Sequence, residues 1–79
     1  MYVYLLRSEN EPERRYVGLT SDLERRLEEH NAGKSIHTNK HRPWRVVVAI
    51  WFADSERAAA FERYLKHGSG HAFASRHLW

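Results

Sequence analysis

The chain has no cysteine, so neither a disulfide nor a thiolate-bound metal can brace it. It has no apolar run near the ~20 residues of a membrane span, and its first residues carry no charged segment and cleavage site of a secretory leader. Repeats, low-complexity tracts and linkers are also missing. At 79 residues it reads as a single domain over 1–79, expected to be soluble and cytoplasmic, with no membrane contact. A domain this small buries roughly 60% of its unfolded surface, which leaves a thin core. Three Trp, four Tyr and three Phe are what the chain has to fill it.

Acidic residues are missing from one long stretch. None lies between Glu29 and Asp54, whereas Lys34, Lys40, Arg42 and Arg45 fall inside it, with His37 and His41 beside them. The net charge is only +3, so its distribution matters more than its size. A polyanion would be drawn to this stretch, and its four Lys and Arg residues are candidate phosphate contacts. The bland alternative is a solvated basic loop.

Elements follow from period and punctuation. Tyr2 to Arg7 reads as a strand, Ser8 to Glu13 as a polar turn and Arg15 to Leu19 as the returning strand of a hairpin. Ser21 starts a helix, with Glu24 completing a capping box and Leu23 and Leu27 forming its apolar stripe. Asn31-Ala32-Gly33 ends it. Lys34 to Pro43 is a loop. Trp44 to Phe52, with its Val46 to Ile50 run, is expected at the sheet centre, covered on both faces. Asp54 or Ser55 caps a helix to about Lys66, whose inward stripe is Ala58, Phe61 and Leu65. Gly68-Ser69-Gly70 breaks it before a short helix from Gly70 to His77. The fold class is α+β: a small three-stranded antiparallel sheet flanked by helices.

Candidate chemistry sits on these elements. Arg26 and His30, at i and i+4, share a helical face beside the leucine stripe, which predicts that both emerge at the rim of a cleft. Tyr4 and Tyr16 come from adjacent strands and can share a sheet face. Glu62 lies at the edge of its helix's apolar stripe, where a half-buried carboxylate needs a partner. The pairs His37/His41 and His67/His71 have helical spacing. The first falls in a loop, the second straddles glycines, and no cysteine or matching acid supports zinc.

The order Tyr2-Val3-Tyr4, then Tyr16-Val17-Gly18, a helix with Arg26 and His30, and Glu62 on a later helix resembles the GIY-YIG nuclease domain. Two positions depart from its pattern. Tyr2 stands where the first motif has glycine, and no asparagine follows Asn39. The segment Tyr64 to Ala74 is similar to the short stand-alone bacterial branch. The resemblance implies an endonuclease that hydrolyses phosphodiesters in nucleic acid, DNA foremost, with Mg²⁺ or Mn²⁺ held by Glu62. It implies Tyr4 as general base, its pKa lowered by a nearby cation or metal, with His30 assisting. Tyr16 would position water or phosphate, Arg26 would hold the scissile phosphate, and Gly18 would allow close backbone approach. The same scaffold without catalysis would be a nucleic-acid-binding module, and an adaptor for an acidic protein partner is a third reading.

Overall fold

The computed structural model describes residues 1–79. In chain order the elements are β1 (Tyr2–Ser8), β2 (Arg15–Thr20), α1 (Leu23–Asn31), β3 (Trp44–Trp51), α2 (Ser55–Leu65) and α3 (Gly68–His77), with one 3₁₀ turn at Asn39–His41. The strands form one antiparallel sheet in the order β2-β1-β3.

That order corrects one expectation. The central strand is β1, not the valine-rich β3. Val3, Leu5 and Leu6 are fully buried and Tyr4 nearly so. A continuous apolar run indicates burial on two faces only when a strand has neighbours on both sides. β3 lies at the sheet edge, and its Ala49 and Trp51 are exposed. Leu5 pairs with Val48 and Leu6 with Val46, so Val47 is an extra residue that bulges this edge.

Alternation along β1 divides the core. Val3 and Leu5 face α2 and α3, packing with Ala58, Leu65 and Ala74. Tyr4 and Leu6 face the opposite way, with Trp44, Tyr16, Val46 and the Leu23/Leu27 stripe of α1. The sheet is thus sandwiched by α1 on one side and by α2 with α3 on the other.

Helix boundaries differ from expectation by small steps. Asp22, not Ser21, caps α1, and its carboxylate accepts from the Arg25 amide at 3.1 Å. Its backbone is extended, as an N-cap requires. Asp54 caps α2 as expected, accepting from the amides of Glu56 and Arg57. α3 starts at Gly68, two residues early. Gly70 sits inside it because a Cβ there would strike the Tyr64 carbonyl, so glycine is what lets α2 and α3 meet.

Gly18 answers the same kind of constraint at the sheet. It pairs directly with Tyr4 across β1 and β2, and the Tyr4 ring lies over it. A Cβ built at Gly18 would sit 2.8 Å from Tyr4 Cε1, with the rest of the ring edge closer still. Gly18→Ala is therefore expected to lower stability by about 1–3 kcal/mol, the usual effect of overpacking. A shifted urea midpoint with unchanged slope would show it; an unshifted midpoint would mean the Tyr4 ring is free to move aside.

Candidate active site

The site is built on the α1 face of the sheet. Tyr4 sends its ring from β1 over Gly18, and Tyr16 enters from β2 with its ring centroid 6.2 Å away. His30, in the last turn of α1, meets both: its ring lies 5.8 Å from that of Tyr4 and 5.0 Å from that of Tyr16. The Tyr4 hydroxyl and His30 Nε2 share a hydrogen bond of 2.8 Å. The other ring nitrogen, Nδ1, bonds the Thr38 hydroxyl at 2.7 Å. Tyrosine, histidine and threonine form a buried string running from strand to helix to loop.

His30 does not stand at a cleft rim. It is completely buried, and so is Thr38. The i, i+4 spacing gave the correct face but not the depth, because the Lys34–Pro43 segment folds across the end of α1. Asn31 fastens that segment: its Nδ2 donates to the Trp44 carbonyl at 3.0 Å and its Oδ1 accepts from the Trp44 amide at 2.6 Å. The Trp44 indole N–H donates to the Thr38 carbonyl at 2.8 Å. On the outer side Glu11 pairs with His41, and the Glu9 amide donates to the Pro43 carbonyl at 2.9 Å.

Burial sets the electrostatics. Loss of solvent, reinforced by the Arg26 charge, pushes the His30 pKa down to about 4, so its imidazole is neutral near pH 7. Tyr4 was expected to have a lowered pKa, and it is raised instead. Burial dominates and disfavours the phenolate; Arg26 opposes this but does not overcome it. The geometry thus holds Tyr4 as a neutral phenol. Tyr16 is half-buried and lines the neighbouring cleft, so it is the tyrosine placed nearer to solvent.

Arg26 keeps 31% of its side chain exposed and binds the Glu29 carboxylate at 3.0 Å. That bond pulls Glu29 below its usual carboxylate range and strengthens the guanidinium. Five N–H donors leave Arg26 able to hold a phosphate as well.

Glu62 reaches this neighbourhood from the opposite helix layer, around the β2 edge. Its carboxylate pairs with Lys66 one turn on, and the Lys66 ammonium lies 5.9 Å from the Tyr16 ring centroid. The Glu62 side chain is only 16% exposed. A hard divalent cation takes one or two carboxylates completed by water and phosphate, so this oxygen donor fits Mg²⁺ or Mn²⁺. No group of three or more His, Asp or Glu gathers into an all-protein cage.

Beside Tyr16 opens a cleft of about 440 Å³ lined by Arg15, Tyr16, Val17, His37, Leu65, Lys66, His71 and Trp79. Lys34, Lys40, Arg42 and Arg45 are exposed but none lines it. Of the basic stretch only His37 does. Arg15, Lys66 and His71 come from three other elements, so no sequence window joined them. Thr38 was missed for a related reason: one threonine in a basic loop carries no signal until the loop covers a histidine.

The depressed His30 pKa carries a pH dependence. In the unfolded chain the ring has its ordinary pKa near 6.5, so between pH 6.5 and about 4 the unfolded state binds the extra proton. The stabilisation is complete above pH 6.5 and is lost as pH falls through that window. The expected loss is on the order of 3 kcal/mol, measured by denaturant titration at pH 7.5 and 4.5. The His30 ring resonances should stay at their neutral position until below pH 5; titration near 6.5 would show an open, hydrated ring.

Comparison with known proteins identifies relatives of this chain. The GIY-YIG catalytic domain model matches residues 1–73. The structure-specific endonuclease subunit SLX1 of Candida dubliniensis is 39% identical over 82 residues, covering 96% of this chain and 28% of the relative. Its counterpart in Scheffersomyces stipitis is 37% identical, covering 96% of this chain and 24% of the relative. A UPF0213 protein of Halalkalibacterium halodurans is 36% identical over 67 residues, covering 84% of this chain and 69% of the relative. The chain thus spans about a quarter of the fungal proteins and about two thirds of the bacterial one. No solved structure matches. With residues 1–73 matched by one family model, the chain belongs to the GIY-YIG catalytic domain family.

Proposed function

We propose that this protein is a metal-dependent endonuclease that hydrolyses phosphodiester bonds in nucleic acid, DNA foremost. One observation carries the reading: Tyr16 and Arg26 stand beside the buried Tyr4–His30 pair, and Lys66, bonded to Glu62 on the other helix layer, lies 5.9 Å from the Tyr16 ring. A phosphate beside Arg26 and Tyr16 meets a guanidinium that neutralises its charge and a hydroxyl that orients water. The family membership and the name of the fungal relatives, structure-specific endonuclease subunit, support the same chemistry. With little surface left over for reading bases, selectivity for nucleic-acid shape is the reading that fits the size of the domain.

The roles follow from exposure. Tyr16 faces the cleft and is the hydroxyl that meets the attacking water. Tyr4, a neutral phenol bonded to His30, holds His30 and Tyr16 in position from behind, and His30 Nε2 is the hydrogen-bond partner that fixes its hydroxyl. Arg26 stabilises negative charge developing on the phosphate oxygens. A divalent cation at Glu62 would supply Lewis-acid stabilisation of the departing oxygen. Lys34, Lys40, Arg42 and Arg45 serve as outer phosphate contacts away from the reacting atoms.

Tyr16→Phe is expected to reduce the single-turnover rate on branched DNA with Mn²⁺ by 10²–10⁴-fold while leaving the melting curve nearly unchanged. Tyr4→Phe removes the partner of a buried imidazole and should lower stability by about 1–3 kcal/mol as well as the rate. The opposite pattern, with Tyr16→Phe silent and Tyr4→Phe inactive but fully stable, would make Tyr4 the group that meets water. Absence of cleavage in the wild type across single-stranded, supercoiled and branched DNA with either cation would leave a binding module.

For the outer cations, charge removal at Lys34, Lys40, Arg42 and Arg45 together should weaken binding of many sequences alike. The salt slope on duplex DNA should fall by about 0.9 per lost contact. An unchanged slope would make the stretch a solvated loop only.

A further inference from the structure

Lys66 is within reach of two sites at once. It follows the last residue of α2, and its ammonium is the only group bonded to the Glu62 carboxylate. The two residues stand at i and i+4 with the glutamate first, the favourable orientation on a helix. The same side chain lies above the Tyr16 ring and lines the cleft with Arg15, His37 and His71, a lining that includes no Asp or Glu side chain. Glu62 is largely covered, whereas 41% of the Lys66 side chain is exposed.

Two cations competing for one half-buried carboxylate repel each other, so a divalent ion at Glu62 and an ammonium bonded to it exclude one another. The ammonium is a compact charge on a flexible four-carbon stem, able to leave without moving the helix. The nearest alternative for it is the cleft beside Tyr16, where an anion would receive it. Resting on the metal role of Glu62 given above, we propose that Lys66 is the resident counter-ion of Glu62, that a divalent cation displaces it, and that the displaced ammonium then binds a phosphate of the nucleic acid in the cleft. Cation and nucleic acid are thereby coupled: each tightens the other by the same factor, because each removes the competitor of the other. In the resting state the pair also spares the domain an uncompensated buried carboxylate.

The test reads metal binding directly. Free Mn²⁺ is measured by electron paramagnetic resonance in titrations of the wild type, Lys66→Gln, Lys66→Arg and Glu62→Gln without nucleic acid. Partly exposed ion pairs are weak, so removing the competitor should tighten Mn²⁺ binding about two- to five-fold in Lys66→Gln. Lys66→Arg, which keeps the charge, should stay near wild type, and Glu62→Gln should lose the site. A second measurement uses a fluorescent branched oligonucleotide with and without Mn²⁺: the gain in affinity from the cation should be smaller in Lys66→Gln than in wild type. Mn²⁺ affinity unchanged or weakened in Lys66→Gln, with Glu62→Gln still defective, overturns the displacement and leaves the metal role of Glu62 intact. Wild-type Mn²⁺ binding by Glu62→Gln removes that metal role and the displacement with it.

Discussion

The hydrogen-bonded string Tyr4–His30–Thr38 is the interaction on which the site depends. It is buried from end to end, and it ties the central strand, the end of α1 and the covering loop together through one imidazole. A neutral histidine has one donor and one acceptor nitrogen, and because each hydroxyl can donate or accept, the string is satisfied in either tautomer. Burial and the neighbouring Arg26 keep the ring neutral. Without the string a polar ring would lie unpaired among Leu6, Trp44 and the α1 leucines, and the Tyr4 hydroxyl would lose its partner.

Around this string the molecule separates two tasks. Groups that fix position are uncharged: Tyr4, His30 and Thr38 are buried, and the half-buried Asn31 amide clamps Trp44 at both its backbone groups. Groups suited to meet substrate are at least partly exposed: Tyr16, Arg26, Lys66 and Arg15. The motif glycine serves the first task. Gly18 is there because the Tyr4 ring occupies the space where a side chain would be. The cost of such packing in a 79-residue domain is a core with few residues to spare, as Val3, Leu5, Ala58, Leu65 and Ala74 alone make up the larger buried cluster.

Much of the fold was legible in the sequence because its elements are locally consistent. Leu23 and Leu27 marked the inner face of α1, Asp54 marked the start of α2, and the tyrosines did share one face of the sheet. Strand order was not legible, since β1 and β3 are both apolar and only pairing decides which has two neighbours. Depth was not legible either. Helical spacing placed Arg26 and His30 on one face, but the loop that buries His30 and leaves Arg26 part-exposed is held by Asn31 and Thr38, contacts between residues 6 to 13 apart. The basic stretch was visible as composition, yet its four Lys and Arg residues lie outside the cleft, where Arg15 comes from β2, Lys66 from the residue after α2 and His71 from α3.

The bulged, exposed β3 gives the sheet two unlike margins. At β2 the margin borders the cleft, with Arg15, Tyr16, Val17 and Lys66 among its lining. At β3 the outer row of backbone N–H and C=O groups has no strand beside it, and Val47 disrupts the regularity a foreign strand would need. The irregular margin is therefore the one turned away from the cleft: β3 discourages a foreign strand by its bulge, while β2, beside the cleft, pairs with β1 in unbroken register.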